Sequence, residues 1–421
     1  MDILIKEVIV VDPTSVHHGN RVDIRIKEGK IVEIGNGLDG EEQKVEGEGQ
    51  FVSSGWVDVM ANFCDPGEEF KEDLDSGCAA AAAGGFTDVV LAPNTTPPID
   101  SKNDIQYILK HNIHSLTQLH PLGAITLGCR GEELTEMIDL HHTGAVGFTD
   151  GINPVWNTDI LVKALQYVQF FNGLVIDRPE DRWMSALGLV HEGTQSTLIG
   201  LKGIPSVAEE LMVQRDIQLL KYAGGRLHLS SISTAGAVEL IRKAKDEGLN
   251  ITCDVAAINL RYDEEVIKDF DTNFKVKPPF RTYSDREALK RGVQDGTIDL
   301  IVSSHQPQDS ESKNLEFDLA DYGIAGIQTF IADLIASDLG PVNELIGSFT
   351  HKTREIFGLE KCSIEVDQIA TLTVFSPEQS WNFSQTNAHS KSHNNPLLGK
   401  EIKGKVICTI NNHQIRTYDE Y

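Results

Sequence analysis

Paired cysteines are missing from this sequence. No CxxC occurs, and the six cysteines, Cys64, Cys78, Cys129, Cys253, Cys362 and Cys408, are scattered along 421 residues. The N-terminus, Met1-Asp2-Ile3-Leu4-Ile5-Lys6, is too acidic and too strictly alternating for a signal peptide. Reduced thiols in a cytoplasmic protein, mostly filling core positions, are therefore expected. Basic residues are also scarce: 37 Lys and Arg stand against 63 Asp and Glu, a formal charge of −26. That balance disfavours nucleic acid and anionic membrane as partners and is what a solvated acidic surface produces. No apolar run reaches membrane-spanning length. What is present, 40% apolar and 24% charged residues, is the composition of a soluble globular protein. The length exceeds one ordinary core, so one large and one smaller domain are expected.

Residues 1–52 read as short strands. Residues 3–11 and 22–26 alternate apolar with polar, and Lys27-Glu28-Gly29-Lys30 is a hairpin turn into 31–35. Strand-like runs return at 370–375 and 405–410, with a polar loop over 384–395 between them. The two ends are expected to join in a small composite β-sandwich (1–52 with 361–421), leaving 53–360 as one inserted domain. Within it, strand-like runs at 57–61, 87–92, 123–127, 145–149, 173–177, 226–230, 250–255 and 300–304 alternate with helical stretches such as 73–84, 205–223 and 234–247. This order predicts an α/β fold, a (β/α)8 TIM-type barrel, with any chemistry at the C-terminal ends of its strands. No internal repeat is visible.

Several segments resemble the dihydroorotase family of the amidohydrolase superfamily, in the multifunctional or complex-forming type. Gly84-Gly85-Phe86-Thr87-Asp88-Val89-Val90-Leu91-Ala92-Pro93-Asn94-Thr95 is similar to the family's GGFTxVxxMPNT, and His120-Pro121-Leu122-Gly123-Ala124-Ile125-Thr126 to its HPxGAIT. Gly203-Ile204-Pro205-Ser206-Val207-Ala208-Glu209, Pro278-Pro279-Phe280-Arg281, Tyr322-Gly323-Ile324-Ala325-Gly326 and Asn395-Pro396-Leu397-Leu398-Gly399 resemble further family segments in the same order. The resemblance covers nearly the whole chain. It implies zinc held by histidines and a carboxylate at the barrel mouth, and a cyclic amide hydrolysed by metal-bound hydroxide.

The departures fall on those groups. In Asp58-Val59-Met60-Ala61-Asn62-Phe63-Cys64-Asp65-Pro66-Gly67, Met60 and Asn62 stand where the family has two metal-binding histidines, and Cys64 where it has a substrate-binding arginine. The histidine position after the fifth strand falls on Arg178, and that after the sixth on Ser231. Asp150 keeps a carboxylate after the fourth. Ser304 stands for the proton-transfer aspartate and Gln308 for a substrate-contacting histidine, with His305 left between them. Lys277 replaces the asparagine before the paired prolines, while Asn94 stays as the family has it; His228 corresponds to a structural histidine. Residues 256–260 lack the family's Pro-His-His.

One carboxylate with Met, Asn, Ser and Arg is not a zinc site, and a permanently charged guanidinium repels a cation. No cofactor is therefore expected, and Arg178 is expected to pair with Asp150 and fill the charge left by the metal. The resemblance then implies a non-catalytic member of pyrimidine biosynthesis that scaffolds aspartate transcarbamoylase, as a homo-oligomer or in complex. Two alternatives stand beside it. One is an active, zinc-holding dihydroorotase; the other is a different small-molecule hydrolase or binder using Cys64, Arg178, Lys277 and His305. For single residues, packing roles compete with chemical ones: His305 as a hydrogen-bonded core group, Cys64 as a filler, and Asn94 as a turn residue.

Overall fold

The computed structural model describes residues 2–418. Parallel strands follow one another around a ring: Trp56–Ala61, Phe86–Leu91, Gln118–Pro121, a single bridging position at Phe148, then Leu174–Asp177, Arg226–Leu229, Ile251–Ala256 and Leu300–Val302. Ladders join the first to the second and the second to the third. Phe148 bridges Gly123 on one side and Val175 on the other, and ladders then run from the fifth strand to the eighth. The eighth returns to the first through end contacts: Ser303 N donates to Asp58 Oδ1 at 2.8 Å, and Asn62 N donates to the His305 carbonyl at 2.9 Å.

The prevalence of apolar residues on these strands follows from burial on both faces, with Asp58, Asp88, Asp177, His228 and Asp254 set among them. Side chains alternate with period two. Val57, Val59, Val90, Leu174, Ile176, Leu300 and Val302 belong to the cluster inside the ring. Trp56, Phe86, Val89, Leu91, Val175, Leu227, Leu229 and Ile301 belong to the cluster beneath the helices. Helix Leu74–Ala83, capped by Asp73 accepting from Ser76 N at 2.7 Å, packs through small residues. A Cβ on its Gly77 would stand 2.5 Å from the Phe63 ring, so glycine sets that approach. Helices Val207–Ala223 and Ala235–Asp246 lie within the stretches expected for them.

Two strands differ from expectation. The third is Gln118–Pro121, not 123–127. Its ladder with the second ends at Pro121, and the chain beyond turns to the fourth position, with Gly123 N donating to Gly147 O and Thr149 N to Gly123 O, both at 3.0 Å. The fourth, expected over 145–149, pairs in the strand sense only at Phe148.

The two ends of the chain meet in one eight-stranded sheet ordered Gln414–Thr417, Lys400–Asn411, Leu372–Phe383, Phe51–Ser54, Asp2–Val10, Arg21–Lys27, Lys30–Gly35, with Gln43–Glu46 also paired to Asp2–Val10. Its core mixes both ends: Ile3, Ile5, Val8 and Ile24 with Leu372, Val374, Ile407 and Ile410. Trp56 joins this sheet to the ring. Its ring lies 5.1 Å from Phe375, 5.2 Å from Phe349 and 5.8 Å from Phe86, and its Nε1 donates to Ser53 Oγ at 2.9 Å. Truncating so large a buried ring opens a cavity and strands a hydroxyl. Trp56→Ala is expected to cost about 3–5 kcal/mol in urea unfolding; a loss below about 1 kcal/mol would mean the joint lies elsewhere.

Candidate functional site at the barrel mouth

The C-terminal ends of the strands carry an unusual backbone. Met60, Cys64, Ser231 and Ser304 have φ of 63°, 59°, 60° and 55°, left-handed values that cost a non-glycine residue roughly 1–3 kcal/mol and cluster at functional sites. All four are positions that the resemblance assigns to metal ligands, a substrate contact or proton transfer. The side chains placed there do other work.

After the first strand, Met60 packs half-buried against the apolar cluster inside the ring. Asn62 is spent on backbone: its Oδ1 accepts from Cys64 N at 2.8 Å and its Nδ2 donates to Asn94 O at 3.2 Å. Cys64 is buried, and burial, with Glu68 next, pushes its thiol up to about 12. A thiol so far from ionising is a filler, not a nucleophile. Asn94 ties the second strand to the fourth, accepting from Ile152 N at 2.7 Å and donating to Asp150 O at 3.0 Å. Gly151 allows this: a Cβ there would fall 1.6 Å from Asn94 Oδ1.

Asp150 does not pair with Arg178. Its Oδ1 accepts from Thr126 N at 2.8 Å and its Oδ2 from Thr126 Oγ1 at 2.5 Å. Burial pushes its carboxyl up to about 6, against those hydrogen bonds and with help from the nearby Asp177 charge. A carboxylate held by a guanidinium would be displaced the other way. Arg178 instead reaches the strand-four loop, where Nη1 donates to the Ile152 carbonyl at 3.4 Å, and its Nη2 is buried with no hydrogen-bond partner. Thr126 gives each carboxylate oxygen one donor, from its backbone and its hydroxyl, in place of the expected pair. Burial lowers the affinity of Arg178 for its proton, with Glu180 the foremost opposing charge, followed by Glu209 and Asp254. A buried donor without a partner costs about 1–3 kcal/mol, more when charged.

Around these, the sixth strand holds His228 between Thr252 Oγ1 at 2.8 Å and Asp254 Oδ2 at 3.0 Å, a fully buried bracing role. Ser231 N donates to Asp254 Oδ1 at 2.7 Å. His305 is fully buried; its Nδ1 accepts from Ile327 N at 3.4 Å, and its Nε2 stands 3.6 Å from Glu72. Gln308 Nε2 donates to Tyr322 O at 2.9 Å. Lys277 forms an ion pair of 2.6 Å with Glu180. That partner, together with Glu72 beside His305, was not read from the sequence. The one available signal was a lysine where a neutral amide is expected, which calls for a new carboxylate nearby.

The Dihydro-orotase-like family matches residues 49–237. Proteins named dihydroorotase from Geobacter sp. (strain M21) and Pelotomaculum thermopropionicum are each 37% identical to this chain, over 99% and 97% of both partners. The chain belongs to the dihydroorotase family. Its fold is that of the amidohydrolase barrels: the L-hydantoinase (dihydropyrimidinase) of Arthrobacter aurescens superposes with a TM-score of 0.86 over 100% of this chain and 97% of its own, at 21% identity. A dihydropyrimidinase from Brevibacillus agri gives 0.82 at 19% identity, covering 100% and 96%.

The residues of this family member do not fit zinc. Among the described residues no three His, Cys, Asp or Glu side chains converge on one point. Of the positions assigned to ligands, Met60 is turned into apolar packing, Asn62 is bonded at both ends, Ser231 offers a hydroxyl, and Arg178 offers a cation. Imidazole donors are absent from that set, and the one carboxylate among the ligand positions, Asp150, is bonded to Thr126.

The state of Asp150 is directly measurable. Its raised folded value favours the protonated form, so its contribution to stability is complete below about pH 4 and is lost as pH rises through about 6. Carbon-13 NMR of the aspartate carboxyls, assigned with Asp150→Asn, is expected to give a midpoint near 6. A midpoint below the ordinary 3.8 would mean a cation or a guanidinium sits on the carboxylate after all.

Proposed function

We propose that this chain is a dihydroorotase-family protein of pyrimidine biosynthesis that performs no hydrolysis, and that it serves as a structural and regulatory partner of aspartate transcarbamoylase, alone or as a self-associated oligomer. The observation that carries the reading is Arg178. A guanidinium remains charged at every physiological pH. It stands at the end of the fifth strand, with one nitrogen unpartnered, where the family's metal-binding histidine would be. The proton-transfer position, Ser304, has no group that titrates in the working range, and the carboxylate at Asp150 faces Thr126. No step of amide hydrolysis is assigned to these side chains: none generates hydroxide, and the proton-transfer position carries a serine in place of a carboxylate.

A second reading, an active dihydroorotase, is favoured by one observation. Relatives 37% identical over nearly the full length carry that name. It requires zinc on groups other than those at the mapped positions.

Elemental analysis of protein purified without chelators, together with an assay in both directions between dihydroorotate and carbamoyl aspartate, separates the two. The proposal expects far less than one zinc per chain and no turnover. About one zinc with turnover would establish the second reading. Restoring both histidines (Met60→His with Asn62→His) is expected to give no activity, because Arg178, Ser231 and Ser304 remain. For the partner, co-expression with the transcarbamoylase of the same cell is expected to yield a complex that survives gel filtration; separate elution of the two at micromolar concentration would overturn the scaffolding part.

A further inference from the structure

The sequence contains two Asn-Gly steps, Asn36-Gly37 and Asn172-Gly173. Such a step is open to a spontaneous reaction in which the backbone nitrogen of the glycine attacks the asparagine side-chain amide. Glycine has no Cβ to block the approach, and asparagine counts among the thermolabile residues. Both asparagines are exposed. Exposure therefore does not separate them; the state of the attacking nitrogen does.

At the second step that nitrogen is occupied. Asn172 ends the helical stretch Gln169–Phe171 in left-handed backbone, with φ 53° and ψ 34°. Its own N–H donates to Gln169 O at 3.2 Å, and Gly173 N donates to Val168 O at 2.9 Å. The surroundings are tight: a Cβ on Gly173 would stand 2.5 Å from the Phe171 ring and 2.9 Å from Val168 Cβ. The chain then enters the buried barrel strand Leu174–Asp177 directly. For Gly173 N to react, this helix end must first open, which is a local unfolding event.

At the first step nothing holds the nitrogen. Asn36 and Gly37 form a bend between strands Lys30–Gly35 and Gln43–Glu46. Among the described residues neither the Gly37 N–H nor the Asn36 side chain has a hydrogen-bond partner. Gly37 has φ 71°, and no atom lies within 4 Å of where its Cβ would be. The residues on either side are fixed. Gly35 pairs with Asp23, and Leu38 N donates to Asp23 Oδ2 at 2.8 Å. Lys6 Nζ donates to the same carboxylate oxygen at 2.9 Å and to Leu38 O at 2.5 Å. Two unbonded residues thus lie between two anchored ones.

We propose that Asn36 is a site of spontaneous deamidation and isoaspartate formation in the folded protein, and that the fold protects Asn172 from the same reaction. Water is the co-reactant. The Gly37 nitrogen loses its proton to hydroxide and bonds to Asn36 Cγ; the Cγ–Nδ2 bond breaks, and ammonia leaves with a proton from water. Water then adds to either carbonyl of the cyclic imide and breaks its ring C–N bond, leaving an aspartyl or an isoaspartyl residue. Nothing is oxidised or reduced. The product carries a further negative charge, and the isoaspartyl form adds a methylene to the main chain between Gly35 and Leu38, both tied to Asp23.

The test ages the full chain at mildly alkaline pH in heavy-oxygen water, followed by digestion, mass spectrometry and labelling with an isoaspartyl methyltransferase. The peptide carrying Asn36 is expected to gain the acid mass and the heavy oxygen at least about tenfold faster than the peptide carrying Asn172. In urea, where both glycine nitrogens are free, the two rates are expected to converge. Asn36→Gln is expected to abolish isoaspartyl labelling of its peptide and, at an exposed bend, to leave the melting temperature unchanged. Conversion at Asn36 no faster than at asparagines not followed by glycine, or labelling that survives Asn36→Gln, overturns the site. Equal rates at the two steps in the folded chain, or a gap that persists in urea, overturns the protection by the fold.

Discussion

One carboxylate ties the start of the barrel to its end. Asp58, on the first strand, accepts both the backbone N–H and the hydroxyl of Ser303 at the end of the eighth. The group is fully buried, and burial pushes its carboxyl up to about 6 despite these two donors. No ladder joins the two strands among the described residues, so this contact and the Asn62 to His305 hydrogen bond close the ring. The seam sets the mouth. Met60 lies two residues beyond Asp58, and Ser304 one beyond Ser303, both in left-handed backbone. The strained turns that aim side chains into the mouth are thus pinned from both sides by the interaction that shuts the barrel.

Pinning of this kind recurs around the rim. Asn62, Asn94, Asp150 and Asp254 are polar side chains at strand ends, and each bonds to backbone N–H or C=O groups of another strand or loop. Every such bond replaces a main-chain partner lost where a parallel strand ends, and so satisfies a group that would otherwise be buried unpaired. A ligating side chain directs its lone pairs at the ion; a bracing side chain directs them at the backbone. Asn62 has both ends committed to backbone, and Asp150 bonds to the Thr126 backbone and hydroxyl, so both brace the rim. The cost of this arrangement appears at Arg178, whose five donors find one carbonyl.

Most of the fold was legible because its signals are local. Leu300 to Val302 is apolar throughout and Val57 to Ala61 is apolar but for Asp58, as strands covered on both faces largely are, and Asp73 with Gly84 bounds the alanine-rich helix. The third strand was misplaced for an equally local reason. Residues 118–127 carry no charge and no clear break, and only the missing N–H of Pro121, seen against its neighbour, shows where one ladder ends and another begins. The identities at the mouth were legible, since each is one letter at a known place in a motif. Their partners were not. Asp150 and Arg178 were paired in expectation because both map to one metal position, yet Thr126 reaches the carboxylate first through a backbone donor that any residue could supply. Glu180 with Lys277, and Glu72 near His305, depend on how distant loops fold back.

Loss of a metal site is usually argued from missing ligands, but here the stronger argument is a group that is present. A vacated histidine position filled by serine or asparagine leaves room for water to complete a weak shell. A position filled by arginine does not, because its charge opposes the ion at any pH at which the protein folds. Burial sharpens the conflict: bringing a second cation close to Arg178, in surroundings that exclude water, costs more than in solvent. The two demands on the mouth are mutually exclusive, and the side chain that settles between them is placed by the fifth strand, two residues before the glutamate that already holds Lys277. The charge that opposes a metal there is carried by a guanidinium with one bond, to the Ile152 carbonyl, and one buried nitrogen without a partner.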